Sequence, residues 1–359
     1  MKRYGIWASL AGGVISVILL LTAGFFLLWK NHLLEKLDLG SSLATVPQGV
    51  IEYAKRGDGP PVLVIHGSPG GYDQGLVYGN ELAKRGFGIL SVSRPGYLRT
   101  PLQTGLRPED QADAIASLLT SLGIRECGVL GLGEGAPCAL QLAKRHPAQV
   151  SSLGLLSPLT SNLGTLPMAS IGYKLFHDLT GDLGCFYFRI LLAVSPQKAF
   201  ESMMAISSSL SPRRCNTLAG EALASRDQRL FLKGLAGSVM PLFPREAGII
   251  NDNAQLKDLI PIKMGALKSP MLIVRGEDES HSPIQGTEKL ISLVPGSKLM
   301  VMPSVGFILP VGKGYEETWD KIAQFFKNQA NSPAPSDPGQ KMELKNQDDA
   351  GLGVPVHDL

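Results

Sequence analysis

An α/β fold, a mostly parallel sheet with helices on both faces, is predicted by three observations. Short apolar runs alternate with stretches of helical spacing from residue 49 to 156, and again from 271 to 328. Helix ends are marked, one start by Pro108 with Glu109 and Asp110 and one stop by Pro147 after His146. Between the two blocks, from about 158 to 262, the rhythm lapses into a Ser-, Leu- and Met-rich segment with no clear strand, which reads as a helical cap inserted over the sheet. The 44% apolar content of the 359-residue chain is enough for one large core.

The elements follow in order. No charge falls between Tyr4 and Trp29, a run of 26 residues. As a helix it would reach roughly 39 Å, more than a hydrocarbon core of about 30 Å. Lys2, Arg3 and Lys30 flank it, and Tyr4, Trp7 and Trp29 stand where interfacial aromatics belong. A cleaved signal peptide, the competing reading, has a shorter apolar region of about 7–15 residues. Residues 1–30 are therefore expected to be a single-pass membrane anchor (a signal-anchor), with the side of the membrane open, and 31–47 a connector. Strands are expected at Gly49–Ala54, Pro61–Ile65, Gly88–Ser93, Gly128–Leu132 and Val150–Leu156. Helices are expected at Tyr72–Arg85, at Pro108–Leu122 with Glu109 and Asp110 in its first turn, and at Ala136–His146 before Pro147. The cap should hold helices such as Gly172–Ala193. Strands at Met271–Val274 and Leu299–Met302, with helices at Thr287–Leu293 and Glu316–Asn328, close a domain spanning 48–328. From Ala330 the composition turns to Pro, Asn, Ser, Asp and Gly, so 329–359 reads as a disordered tail.

Charge and cysteines narrow the functions. A net charge of +3 without a dense basic cluster argues against nucleic acid. Cys127, Cys138, Cys185 and Cys215 form no C-x-x-C pair, and no His cluster has metal-ligand spacing. Buried free thiols are expected, and no metal or cofactor.

The chemistry concentrates in a few loops. Gly131-Leu132-Gly133-Glu134-Gly135 sits between a strand and a helix, the setting of a G-x-S-x-G nucleophile elbow, with glycine where the serine should be. His66-Gly67-Ser68-Pro69-Gly70-Gly71 follows one strand and Ser93-Arg94-Pro95-Gly96-Tyr97 the next. Further on stand Arg107 to Asp113, Arg145-His146-Pro147, Gly248 to Asp252 and Gly276-Glu277-Asp278-Glu279. In this order, over roughly 48–328, these motifs resemble the α/β-hydrolase fold family, in its capped subgroup with an HGSPGG-type loop. The resemblance implies a serine nucleophile at the elbow, a histidine base after the last strand, and a carboxylate after the strand before it. It implies oxyanion donors from the HG loop and from the residue after the nucleophile.

Carried over residue by residue, the nucleophile position is Gly133 and the base position, after Gly306, is Phe307. The acid position is Glu279, with Asp278 beside it leaving the register open by one. The oxyanion pocket falls on His66, Gly67, Ser68 and Glu134. Two missing triad members point to lost acyl-transfer chemistry, since losing one costs on the order of 10⁴–10⁶ in turnover. His281, two residues past Glu279, is a possible substitute, though it reads more simply as a loop histidine. Ser68 and Ser304 read as loop serines, Glu134 as a first-turn acid, Cys138 as core, His66 as structural and His146 as a helix end. NDRG-type proteins, with the same fold and no elbow serine, offer an analogy for this loss.

The expected function is a membrane-anchored pseudoenzyme, bound to the lipid bilayer, that binds a small apolar ligand or a protein partner. The alternatives are an active membrane-bound hydrolase of esters, lipids or short peptides with a rearranged site, and a structural or assembly subunit.

Overall fold

A computed structural model describes residues 2–159, 181–206, 208–257, 267–280, 284–294, 296–307 and 310–330. A helix, α1 (Lys2–Leu39), leads into a hairpin, β1 (Ser42–Val46) and β2 (Gly49–Arg56). Then come β3 (Pro61–Ile65), α2 (Tyr72–Ala83), β4 (Gly88–Val92), α3 (Pro108–Ser121), β5 (Cys127–Leu132), α4 (Ala136–Arg145) and β6 (Val150–Leu156). Among the described residues, five cap helices follow: α5 (Gly181–Val194), α6 (Pro196–Ile206), α7 (Pro212–Ala224), α8 (Arg226–Gly237) and α9 (Glu246–Lys257). The sheet resumes with β7 (Met271–Gly276), α10 (Ile284–Leu293), β8 (Lys298–Met302) and α11 (Tyr315–Ala330).

The eight strands run in the order β1-β2-β4-β3-β5-β6-β7-β8. Pairs from β4 through β8 are parallel, and β2 lies antiparallel to both β1 and β4. Strands buried on both faces carry apolar side chains on both, as β3 shows. Its Val62 and Val64 join one core with the cap residues Phe200 and Leu232 and with Trp319 and Phe326 of α11. Its Leu63 and Ile65, pointing the other way, join a second core with α3 and α4.

One expectation is corrected. The stretch 31–47 is not a connector, because α1 continues to Leu39 and Ser42–Val46 is an edge strand. Trp29, Leu33 and Leu37 recur on one helical face; Trp29 and Leu33 pack on the cap-side core, and the Tyr72 hydroxyl donates to Leu37 O at 2.7 Å. Pro47 and Gln48 then turn the chain so that Val46 pairs with Gly49. In the cap, α5 begins at Gly181 among the described residues and ends before Ser195–Pro196; the earlier part of the expected Gly172–Ala193 helix lies outside them, as does the tail from 331. All four cysteines are free and buried.

Candidate functional site

The parallel strands direct the loops after β3, β4, β5, β6, β7 and β8 toward one edge of the sheet, where open α/β sheets place their sites. After β5 the chain turns sharply through a 3₁₀ turn, Gly133–Gly135, into α4. Gly133 has φ +46°, a left-handed conformation that favours glycine. A Cβ on Gly135 would come within 2.4 Å of the His66 carbonyl, so this turn presses directly on the loop after β3.

That loop is held rigidly. His66 is fully buried, with Nδ1 2.6 Å from Gly67 O and Nε2 accepting the Arg94 N–H at 2.9 Å. The pairing assigns the proton to Nδ1. Burial, then the Arg94 charge, holds its pKa well below the usual histidine value, so the ring is neutral. Gln74 braces the loop, accepting the Gly67 N–H at 2.8 Å and donating to Pro69 O at 2.8 Å. Arg94 pairs in bidentate fashion with Asp252 of α9, at 2.7 and 2.5 Å. The Tyr97 hydroxyl donates to Asp252 Oδ2 at 2.5 Å and lies 2.9 Å from Ser68 Oγ.

The two backbone N–H groups expected as oxyanion donors converge on a carboxylate already in place. Ser68 N–H donates to Glu134 Oε2 at 2.9 Å, and the N–H of Glu134 itself also supports its own carboxylate. Glu134 is therefore more than a first-turn acid: its side chain turns back over the HG loop into the space between these donors. Burial, then the charge of Asp252, pushes its pKa up to about 7. A small pocket beside it, with room for about one water, is lined by Arg94, Gln111, Glu134, Cys138 and Asp252. Burial raises the Cys138 thiol to about 12, leaving it inert.

On the other side, Phe307 takes the space over the turn. A Cβ built on Gly133 would lie 2.9 Å from Phe307 Cζ, so the ring covers the point from which a side chain at 133 would project. Glu279 is buried behind it. Its Oε1 accepts the Ser157 hydroxyl at 2.5 Å and the Gly276 N–H at 2.6 Å, while Oε2 has no hydrogen-bond partner among the described residues. Burial raises its pKa to about 7. Asp278, its neighbour, instead engages through its backbone, with Val305 O and with Ser209 N–H.

Among the other candidates, His281 lies outside the described residues. Ser304 sits in the turn after β8 at φ +54°, its N–H donating to Glu277 and its carbonyl accepting from Arg214. His146 caps α4 and contacts Asp113. Sequence reasoning gave no role to Ser157, a φ +47° residue at the end of β6, nor to the Arg94–Tyr97–Asp252 cluster. The cluster had a signal: two motifs of the same resemblance, 158 residues apart, carry opposite charges.

A family model described as alpha/beta hydrolase fold matches residues 60–313. The chain belongs to the α/β-hydrolase fold family. This α/β-hydrolase-fold protein is 23% identical over 288 residues to an uncharacterized hydrolase, YcgS, of Bacillus subtilis (strain 168), covering 79% of this chain and 97% of the relative. It is 25% identical over 264 residues to a 2-hydroxy-6-oxononadienedioate/2-hydroxy-6-oxononatrienedioate hydrolase of Paraburkholderia phymatum, covering 71% and 84%. Among solved structures, an alpha/beta hydrolase fold protein from Nakamurella multipartita superposes with a TM-score of 0.72 at 26% identity, over 81% of this chain and all of the other.

Proposed function

We propose that this protein is a membrane-anchored α/β-hydrolase-fold protein that binds a small apolar ligand or a protein partner and does not carry out serine acyl transfer. One observation carries the reading. At Gly133 there is no hydroxyl, and the Ser68 N–H that would stabilise an oxyanion is instead bonded to Glu134 at 2.9 Å. A substrate carbonyl entering there meets a carboxyl group, not a vacant pair of donors. Phe307, against Gly133, removes the base from the same place. The anchor rests on α1, whose stretch Gly12–Leu39 is long and apolar enough to span a bilayer.

A second reading, an active hydrolase with a rearranged site, is the one the relatives' names favour. Two carboxyls with pKa raised to about 7, the half-buried Glu134 and the buried Glu279, are placed to exchange protons near neutrality. Glu134 in that role would activate water, and dioate substrates of the kind named for the Paraburkholderia relative, together with simple esters, are the compounds to try.

The full chain in detergent is treated with a fluorophosphonate and with both substrate classes, and its melting is followed with fatty acids added. The binding reading expects no labelling, turnover lower by a factor on the order of 10⁴ than that of an intact triad, and stabilisation by the apolar ligand. Turnover that collapses in Glu134→Gln overturns it in favour of the second reading. Labelling gained by Gly133→Ser with Phe307→His, but not by Gly133→Ser alone, supports the placement of the elbow.

A further inference from the structure

The cap helix α5 meets α1 at the end of its uncharged run. Lys30 Nζ pairs with Asp182 Oδ2 at 2.6 Å, and one turn further along α5 the Phe186 ring packs on Phe26 and Trp29 at 5.8 and 5.4 Å. Moving forward along α5 thus means moving back along α1, from the lysine toward its apolar stretch. On this helix Cys185 and Leu192 face the cap core. Leu183, Tyr187, Ile190 and Val194, spaced by four, three and four residues, form one helical stripe and are 43%, 54%, 43% and 79% exposed.

The stripe has no charge in it. Asp182 is turned away, paired with Lys30 and accepting the N–H groups of Leu242 and Phe243 at 2.7 and 3.1 Å. Phe243, 67% exposed, extends the apolar surface and lies under Lys30, whose ammonium is 5.1 Å from its ring. Scattered exposed apolar residues need no explanation, but a continuous stripe joined to a spanning-length helix does.

We propose that this stripe of α5, with Phe243, is a lipid-contacting surface that seats the cap on the bilayer interface beside α1. The occupant follows from continuity: α5 packs on α1 where a lysine and a tryptophan mark the boundary between apolar core and headgroups. A helix with one apolar face and a paired acid at its start lies in that boundary layer. The cap then presents its lower surface to lipid, so that an apolar ligand can pass between membrane and cap without crossing water. The proposal rests on the anchored reading of α1, and its test separates the two.

The full chain carrying Tyr187→Cys, or Val194→Cys as a second site, is labelled with an environment-sensitive thiol fluorophore; the native cysteines, all buried, serve as the unlabelled background. Ala148→Cys, exposed beyond α4 on the opposite side of the sheet, is the reference. The proteins are reconstituted into phosphatidylcholine vesicles with doxyl labels near the headgroups, and flotation is scored in parallel. Seating at a depth of about 5–10 Å predicts about twofold quenching at either stripe site and none at 148. Flotation with no quenching and a water-like spectrum at both stripe sites overturns the proposal and leaves the anchor standing. A blue-shifted but unquenched spectrum overturns it in favour of a protein surface, such as a second copy, covering the stripe. Failure to float overturns the anchored reading and the proposal with it.

Discussion

At the residue scale the site is governed by two carboxyls in low-dielectric surroundings, and their titration gives a test that needs no substrate. Glu134 and Glu279 have folded-state pKa values of about 7, raised chiefly by burial, against 4.5 unfolded. Between these values the folded state holds more protons than the unfolded one, so each group's contribution to stability is full below about pH 4.5 and is lost as pH rises through 7. Buried neutral His66 acts with the opposite sign, costing stability as pH falls below the unfolded histidine value. The difference between variant and parent isolates the carboxyls. Glu134→Gln keeps an oxygen for the Ser68 N–H and removes the charge. It is expected to match the parent near pH 4.5 and to gain on it up to pH 7, by roughly 3 kcal/mol at most. Glu279→Gln should behave alike. Urea unfolding across that range measures both, and a difference independent of pH would show that neither carboxyl is held protonated.

Elements matter through the way the cap is fastened. Two arginine–carboxylate pairs cross between cap and core, and they should differ in strength. Arg94 and Asp252 are both buried, and Arg94 has little else to replace Asp252. Arg245 is as deeply buried, but besides Asp73 it also donates to the carbonyls of Gly70, Pro241 and Met240. Asp252→Ala strands a buried charge and is expected to cost about 3–5 kcal/mol. Asp73→Ala leaves a guanidinium with carbonyl partners and should cost about 1–2 kcal/mol. Hydrogen exchange in α9 should speed up in the first variant and little in the second. Legibility divides along the same line of scale. Apolar runs were enough to place the strands from β2 to β8; those from β3 to β7 are buried along almost their whole length, because an inner parallel strand has both faces covered. The edge strand Ser42–Val46 was missed because Ser42 and Thr45 break up its apolar residues, whereas β8, just as exposed, keeps the unbroken run Leu299 to Met302. Within the site, Gly133 and Phe307 could be read as missing groups. That their atoms meet, that Glu134 reaches a backbone N–H 66 residues away, and that Ser157 holds Glu279 depend on tertiary packing, which no local pattern encodes.

The whole molecule consists of a capped sheet and a helix that belongs to it only in part. Residues such as Val14, Leu20 and Phe25 are 58%, 73% and 65% exposed and touch no core. The lower end differs: Trp29 and Leu33 pack on the cap-side core, Lys30 pairs with Asp182, and Leu37 O takes the Tyr72 hydroxyl. On the anchored reading proposed above, a helix held only by the bilayer would be dispensable throughout, whereas one that also packs on the fold must be cut at a particular point. Removing residues 2–25 should give a water-soluble protein with a urea midpoint close to that of the detergent-solubilised parent. Removing 2–39 strips two packed side chains at about 1.5–3 kcal/mol each and a hydrogen bond of about 1 kcal/mol, a loss of roughly 4–7 kcal/mol. That is a large share of the stability of an ordinary domain, about 5–15 kcal/mol, so the shorter protein should be partly unfolded at modest urea. Equal midpoints for the two truncations would mean that the junction from Trp29 to Leu37 adds nothing to the fold, and the cap would then have no fixed position relative to the anchor.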